Sequence, residues 1–364
     1  MKNGVLAENK SLASIRGVAA LWVVGHHWLG KSSTPFVQTV FGEGHRAVDI
    51  FFVLSGLILT LVYRELSLGA VPRFMAQRVF RIYPLHMATL LALALVIQLP
   101  SVDLQAFLLP AFAGSMLLLQ PYIHLDGLTT VNPVAWSIGV EMVYYLLFPF
   151  LLLALQSMDG RKNYKATLTA LLCILFAVQL HEMQTNYGAV SGMDALQRGI
   201  YSFALGMVLA KWRGVVALSA TVASAIECLA CAAICVALAL HQGAYVPGLA
   251  AVLIFSLSFD VGVVAVALRQ RIWVWLGHIS FSIYLLHYPI QVAMDKIAAF
   301  EALGAGDDMH QLLRLAALMA ILLLVSTLGY RYVEMPCRHI PARLSAWWKS
   351  FTSNRWRATE QSVF

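Results

Sequence analysis

Ten stretches of this chain are apolar enough to leave water: 11–29, 47–63, 82–99, 134–156, 166–180, 196–210, 217–240, 246–267, 272–298 and 312–333. A bilayer core takes about 20 residues of helix per crossing. Inside it, only helices and closed barrels satisfy their own backbone hydrogen bonds. The runs at 166–180 and 196–210 fall short of that length and are the weakest spans. Charged residues make up 12% of the chain, against roughly 25% in soluble domains. That is too little polar material to cover a water-facing surface. The expectation is an all-α, polytopic transmembrane helical bundle of about ten spans. The formal charge of +7 then reads as an orientation signal rather than a nucleic-acid surface.

Basic residues set the topology. They cluster at Lys2/Lys10, Arg64/Arg73/Arg78/Arg81, Arg161/Lys162/Lys165, Lys211/Arg213, Arg269/Arg271 and from Arg331 to Arg357. All clusters can face the cytoplasm if ten spans cross and the proline-bracketed stretch 107–121 does not. Both termini are then cytoplasmic. The first apolar run has the length of a full helix rather than of a cleaved signal. Residues 1–340 read as one membrane domain with no soluble domain appended. Residues 341–364, "PARLSAWWKSFTSNRWRATEQSVF", read as a basic tail on the cytoplasmic lipid surface. Cys228, Cys231 and Cys235 have helical spacing, but only Glu227 is near them in sequence. They read as lipid- or core-facing thiols, and no metal site is expected.

The first helix, "LASIRGVAALWVVGHHWL", carries Arg16 near one end and His26 and His27 near the other. Eleven residues separate Arg16 from His27, which returns them to nearly the same face about 16 Å apart along the axis. Ionisable groups in a span usually face the protein interior or a wet cavity. The competing reading is a hydrogen-bonded core histidine with Arg16 snorkelling to the headgroups. In "GEGHRAVDIFFVLSG" (42–56), Asp49 opens an apolar helix. It serves either as an acidic first-turn residue or as the group that orients His27 or His45. In "RFMAQRVFRIYP" (73–84), Arg78 and Arg81 share a helix side at the cytoplasmic boundary. They are a topology signal or a diphosphate clamp, since guanidinium is planar, always charged and multidentate. Glu141 lies inside the apolar run of "NPVAWSIGVEMVYYLLFP", four residues after Ser137. An embedded carboxylate is a functional candidate or the partner of a distant arginine. "ISFSIYLLHYPI" (279–290) adds Ser280, Ser282, Tyr284 and His287; Ser137, Ser280, Tyr284 and His287 read as polar contacts to the acceptor or to the structure. Glu334, ending the last span in "YVEMPCR", is expected to pair with a cytoplasmic-side arginine.

Taken in order from about residue 11 to 338, these six stretches resemble the acyltransferase 3 family of membrane acyltransferases. The resemblance rests on Arg16 and His27 in an Arg-x10-His pattern, "GHRAVDIFFVLSG", "RVFRIYP", "WSIGVEMVYYLLFP", "ISFSIYLLHYPI" and "VEMP". Only spacing selects His27 over its neighbour His26. The resemblance implies O-acylation of an envelope or exported carbohydrate, or of a glycolipid, in a bacterial inner membrane. It implies acyl-CoA as cytoplasmic co-substrate, with acetyl-CoA the commonest donor in the family, and no bound cofactor. It implies His27 as catalytic base, with Arg16, Arg78 and Arg81 serving the donor.

Geometry and resemblance then agree on one scheme. Arginines at the cytoplasmic mouth hold the coenzyme A phosphates, and the pantetheine arm runs beside the first helix. The thioester lies near His27, whose imidazole titrates close to neutrality and suits general-base work. Asp49 or Glu141 holds the imidazole tautomer. The rival class is a proton-coupled secondary transporter, which also uses embedded His, Asp and Glu. No repeat between halves supports it. A membrane receptor or scaffold would not need the arginines and His27 together.

Overall fold

The structure, a computed structural model, describes residues 9–30, 34–97, 112–122, 131–185, 192–298, 300, 302 and 308–342. No strand occurs among the described residues. Helix α1 (Lys10–Leu29) is followed by α2 (Pro35–Gly42), a 3-10 turn (Glu43–Arg46) and α3 (Ala47–Val62). Then come α4 (Val71–Ile97), α5 (Trp136–Gln156), α6 (Tyr164–Thr185), α7 (Gly192–Arg213) and α8 (Ala220–Ala239). The rest is α9 (Val246–Leu257), α10 (Val263–Leu268), α11 (Arg271–His278), α12 (Ser280–Asp295) and α13 (Asp308–Gly329). A π turn (Tyr330–Glu334) carries α13 into α14 (Met335–Arg338).

Each apolar run falls on a helix or a pair of helices. Among the described residues, six segments are long and apolar enough to cross a bilayer: Pro35–Val62, Leu68–Leu95, Pro133–Gln156, Tyr164–Thr185, Ala220–Ala239 and Met309–Ala342. The other four runs depart from that standard. α1 carries Lys10 and Arg16, and α7 carries Asp194, Arg198, Lys211 and Arg213. The run 272–298 breaks at Ile279, and the run 246–267 breaks between α9 and α10. The second break has a visible cause. Glu227 of α8 is wholly buried, and its Oε2 accepts from the Val264 and Ala265 backbone N–H groups at 2.8 and 3.1 Å. A carboxylate on a helix N-terminus satisfies orphan donors and complements the dipole, so it starts α10 inside the bundle. Both weak runs, 166–180 and 196–210, form 22-residue helices. Of the stretch 107–121, residues 107–111 lie outside the described residues. The described part, 112–122, is one short helix followed by turns. Residues 343–364, nearly all of the expected tail, also lie outside the described residues.

Two close helix contacts build the centre. α3 makes its most extensive packing against α7. A Cβ at Gly56 would lie 2.0 Å from the Phe203 carbonyl oxygen, and one at Gly206 2.0 Å from that of Val53. Only glycine lets two backbones approach so closely, the usual device where lipid gives no hydrophobic drive to association. α1 meets α11 the same way: a Cβ at Gly277 would lie 2.1 Å from the Ala13 carbonyl oxygen.

The helix ends that carry basic clusters gather at one end of the bundle. Asn9 donates to the Leu257 and Ser258 carbonyls at 3.2 and 3.0 Å, and Arg213 also reaches Ser258, at 3.1 Å. Lys211 pairs with Asp159 at 2.6 Å, and Gln156 donates to the Arg64 carbonyl at 2.6 Å. If this end is cytoplasmic, Asn163 faces the cytoplasm and Thr185 the outside. In a cysteine-free background, a membrane-impermeant maleimide applied to intact cells is expected to label Thr185→Cys and not Asn163→Cys. The reverse pattern would sink this orientation.

Candidate active site

Two cavities open into the bundle and share a wall. The inner one is lined by Arg16 of α1, Ser55 of α3, Arg81 of α4 and Glu141 of α5, with Phe51, Phe52, Ser280 and Phe281 among its other walls. The outer one is lined by His26, His27, His45, Trp136 and Arg198. Val48 and Tyr284 line both. α1 therefore delivers Arg16 to one chamber and His27 to the next, as the eleven-residue spacing requires.

Two guanidinium groups line the inner cavity, those of Arg16 and Arg81. Arg16 is within electrostatic reach of Arg81 and of Arg338 on α14. Neither Arg16 nor Arg81 has an ion-pair partner among the described residues. Glu141 is held instead by two hydroxyls, Ser55 at 2.5 Å and Tyr145 at 2.6 Å, both donating to its Oε1. Glu334 accepts from Ser282 and pairs with Arg338 at 2.7 Å. That bears out the expected arginine partner, four residues further on.

Arg78 does not join this group. Its guanidinium sits among Tyr63, Phe74 and Tyr145 at 5.6–5.7 Å from their ring centres, and donates to the Tyr63 hydroxyl at 3.1 Å. It lines neither cavity. Three residues along a helix leave side chains about 60° apart. That angle is wide enough for Arg81 to enter the cavity while Arg78 stacks in an aromatic box.

In the outer cavity His27 Nδ1 lies 2.9 Å from the Val23 carbonyl oxygen. A carbonyl only accepts, so Nδ1 carries the proton and Nε2 is left as the basic nitrogen. The orienting group expected to be Asp49 or Glu141 is thus a backbone carbonyl one turn back. Asp49, wholly buried, gives both oxygens to Arg198 at 2.9 and 2.7 Å. Arg198 also donates to the His45 carbonyl at 3.2 Å and lies 5.8 Å from the Trp136 ring centre. His26, one residue and about 100° around the helix from His27, lines the same cavity, with Nδ1 on the Phe41 carbonyl at 3.0 Å. Its ring centre is 5.2 Å from His27 and 5.3 Å from His45.

At the shared wall, the Tyr284 hydroxyl donates to the Val134 carbonyl at 2.8 Å and meets Ser137 Oγ at 2.7 Å. Ser280 donates to the Gly277 carbonyl at 2.8 Å, so its hydroxyl supports the α11–α12 break while the residue lines the inner cavity. His287 is buried behind this wall with its ring 4.8 Å from His27. Among the residues in or beside these chambers not singled out from sequence are Arg198, Arg338, Trp136, Ser55 and Tyr145. A lone arginine inside an apolar run was the available signal for Arg198.

The fold and its paired polar chambers define a multi-pass, all-helical membrane protein with ionisable groups gathered inside. The chain belongs to the acyltransferase 3 family, whose acyltransferase domain matches residues 9–331. It is similar to the acyltransferase MdmB of Streptomyces mycarofaciens, at 25% identity over 92% of each chain. It is also similar to protein 2 in the picA locus of Rhizobium radiobacter, at 33% identity over 36% of this chain and 76% of that protein. No solved structure matches it.

Proposed function

We propose that this acyltransferase takes an acyl group, acetyl foremost, from cytoplasmic acyl-CoA. It transfers the group to a hydroxyl of an envelope or exported carbohydrate, or of a glycolipid, at the inner membrane of a bacterium. The observation that carries the reading is the pair of cavities meeting at Val48 and Tyr284, with arginines in one and the His27 imidazole in the other. Arg16 and Arg81 hold the donor's phosphates, and Arg338 adds its charge at the same mouth. The thioester carbonyl reaches the shared wall. The acceptor enters the outer cavity, and His27 Nε2 takes its hydroxyl proton as the oxygen attacks the carbonyl carbon. The C–S bond then breaks, and the proton passes from His27 to the departing thiolate. Asp49 and Glu141 support the two chambers rather than the base.

Lysine substitution tests the donor site. Lysine keeps the charge that sets orientation but loses the two-pronged hydrogen bond to phosphate. Each lost charged hydrogen bond costs about 1.5–3 kcal/mol, or roughly tenfold to a hundredfold in affinity. Arg16→Lys and Arg81→Lys are expected to raise KM for acetyl-CoA by that factor, with much of the rate recovered at saturation. Arg78→Lys is expected to leave KM unchanged and to lower thermal stability. A KM that rises only in the Arg78 variant would move the donor site to the aromatic box.

A further inference from the structure

His287 takes no part in the transfer as described above, yet its surroundings are not those of a satisfied core histidine. It is wholly buried in α12. Its Nδ1 lies 2.6 Å from the Tyr284 carbonyl oxygen and must be the protonated nitrogen. Its Nε2 has no hydrogen-bond partner among the described residues. His27 is built alike, with Nδ1 on the Val23 carbonyl and no partner shown for Nε2 among the described residues. The two ring centres are 4.8 Å apart with planes at 53°. Two imidazoles from different helices thus lie in contact, each with its proton anchored on its own helix.

We propose that His287 shares the proton that His27 takes from the acceptor hydroxyl, so that the pair rather than one ring is the base. This rests on His27 as the base. While both rings are neutral, each proton sits on Nδ1, neither Nε2 has one to give, and no hydrogen bond joins the rings. One proton reverses that: N–H⁺···N is a charge-assisted bond, the strong kind, and on the His287 side it is wholly buried. As the acceptor O–H bond breaks and the O–C bond forms, the proton rests between the two Nε2 atoms. As the C–S bond breaks, it leaves through His27 to the sulfur, and both rings are neutral again. His287 touches no substrate; it is a positioning residue that acts through His27.

Other charges around α12 leave this assignment intact. From α1, His27 and His26 bear directly on His287. His86 of α4 is tied to the Ser115 carbonyl at 2.8 Å, and His278 of α11 stacks on Tyr330. From α13 and its π turn, Arg314 pairs with Asp295 of α12 itself, and Glu334 pairs with Arg338. Across the cavity, Arg198 and Asp49 pair with each other.

The test reads His27 directly and needs no turnover. Diethyl pyrocarbonate modifies only neutral imidazole, and fragment mass spectrometry separates His27 from His26. In the full-length protein in nanodiscs, the pH midpoint for His27 modification is expected to fall by about one to two units in His287→Leu, the loss of one hydrogen bond to a charged group. His287→Gln keeps an acceptor and is expected to restore at least half of that shift. His287→Met carries the same test if the leucine variant does not accumulate. In parallel, transfer from radiolabelled acetyl-CoA into the membrane glycan fraction at neutral pH is expected to slow roughly tenfold to a hundredfold in His287→Leu, with KM for acetyl-CoA unchanged. A merely structural role would lower the yield of folded protein and leave the midpoint in place. One midpoint common to wild type, His287→Leu and His287→Gln overturns the proposal. A shifted midpoint with full transfer by His27→Ala would keep the pairing and overturn His27 as the base.

Discussion

His27→Ala is expected to lower acyl transfer by roughly 10²–10⁴-fold, the usual contribution of a positioned general base, while the protein still folds and inserts. The fold survives because His27 gives little to it. The ring opens into the outer cavity, and its one hydrogen bond among the described residues runs to Val23 on its own helix. KM for acetyl-CoA is expected to hold, since Arg16, the proposed phosphate contact, is about 16 Å away along α1 by helix geometry. His26 is the control. Its Nδ1 ties α1 to the Phe41 carbonyl, so His26→Ala loosens the contact with α2 and is expected to cost yield and only part of the rate. The assay follows radiolabelled acetyl-CoA into membrane glycans, with protein amount measured in the same membranes. If His26→Ala were inactive and His27→Ala active, the base would have been placed on the wrong face of α1.

What the sequence made legible here was local. Helix periodicity alone placed Arg16 and His27 on one face, and the structure gives them adjoining cavities because α1 is a regular helix over that whole interval. Run length and composition located the helices for the same reason: backbone satisfaction in lipid leaves little choice. What stayed illegible depends on partners far along the chain. Asp49 could not be assigned because its partner lies 149 residues away. Ser55, which holds Glu141, lies 86 residues from it. The break in the run 246–267 is invisible without Glu227, whose carboxylate comes from the neighbouring α8. Arg78 and Arg81 were separated by Phe74, Tyr63 and Tyr145, a box assembled from three elements.

The ion pair between Asp49 and Arg198 is where the largest structural effect is expected. Both side chains are nearly or fully buried, and the carboxylate is engaged two-pronged. Removing one partner leaves an uncompensated charge in the interior, which typically costs about 3–5 kcal/mol. That is a large share of the stability of a typical domain, so Asp49→Ala and Arg198→Ala are each expected to cut the yield of folded protein severely. Replacing both with apolar residues of similar volume removes the charge along with its partner, and such exchanges are often neutral or better for stability. The double variant Asp49→Leu with Arg198→Met is therefore expected to recover much of the yield and thermal midpoint lost in the single variants. Size-exclusion chromatography of a fluorescent fusion in detergent measures both. Normal accumulation of Asp49→Ala would mean that water reaches Arg198 through the outer cavity and that the pair is not buried in the working protein. Recovery of fold need not bring back transfer. Arg198 also lines the outer cavity and holds the His45 carbonyl at 3.2 Å, so the double variant is expected to stay folded with a disturbed outer cavity. Acyl transfer restored to wild-type levels in it would reduce Arg198 to a structural counter-ion.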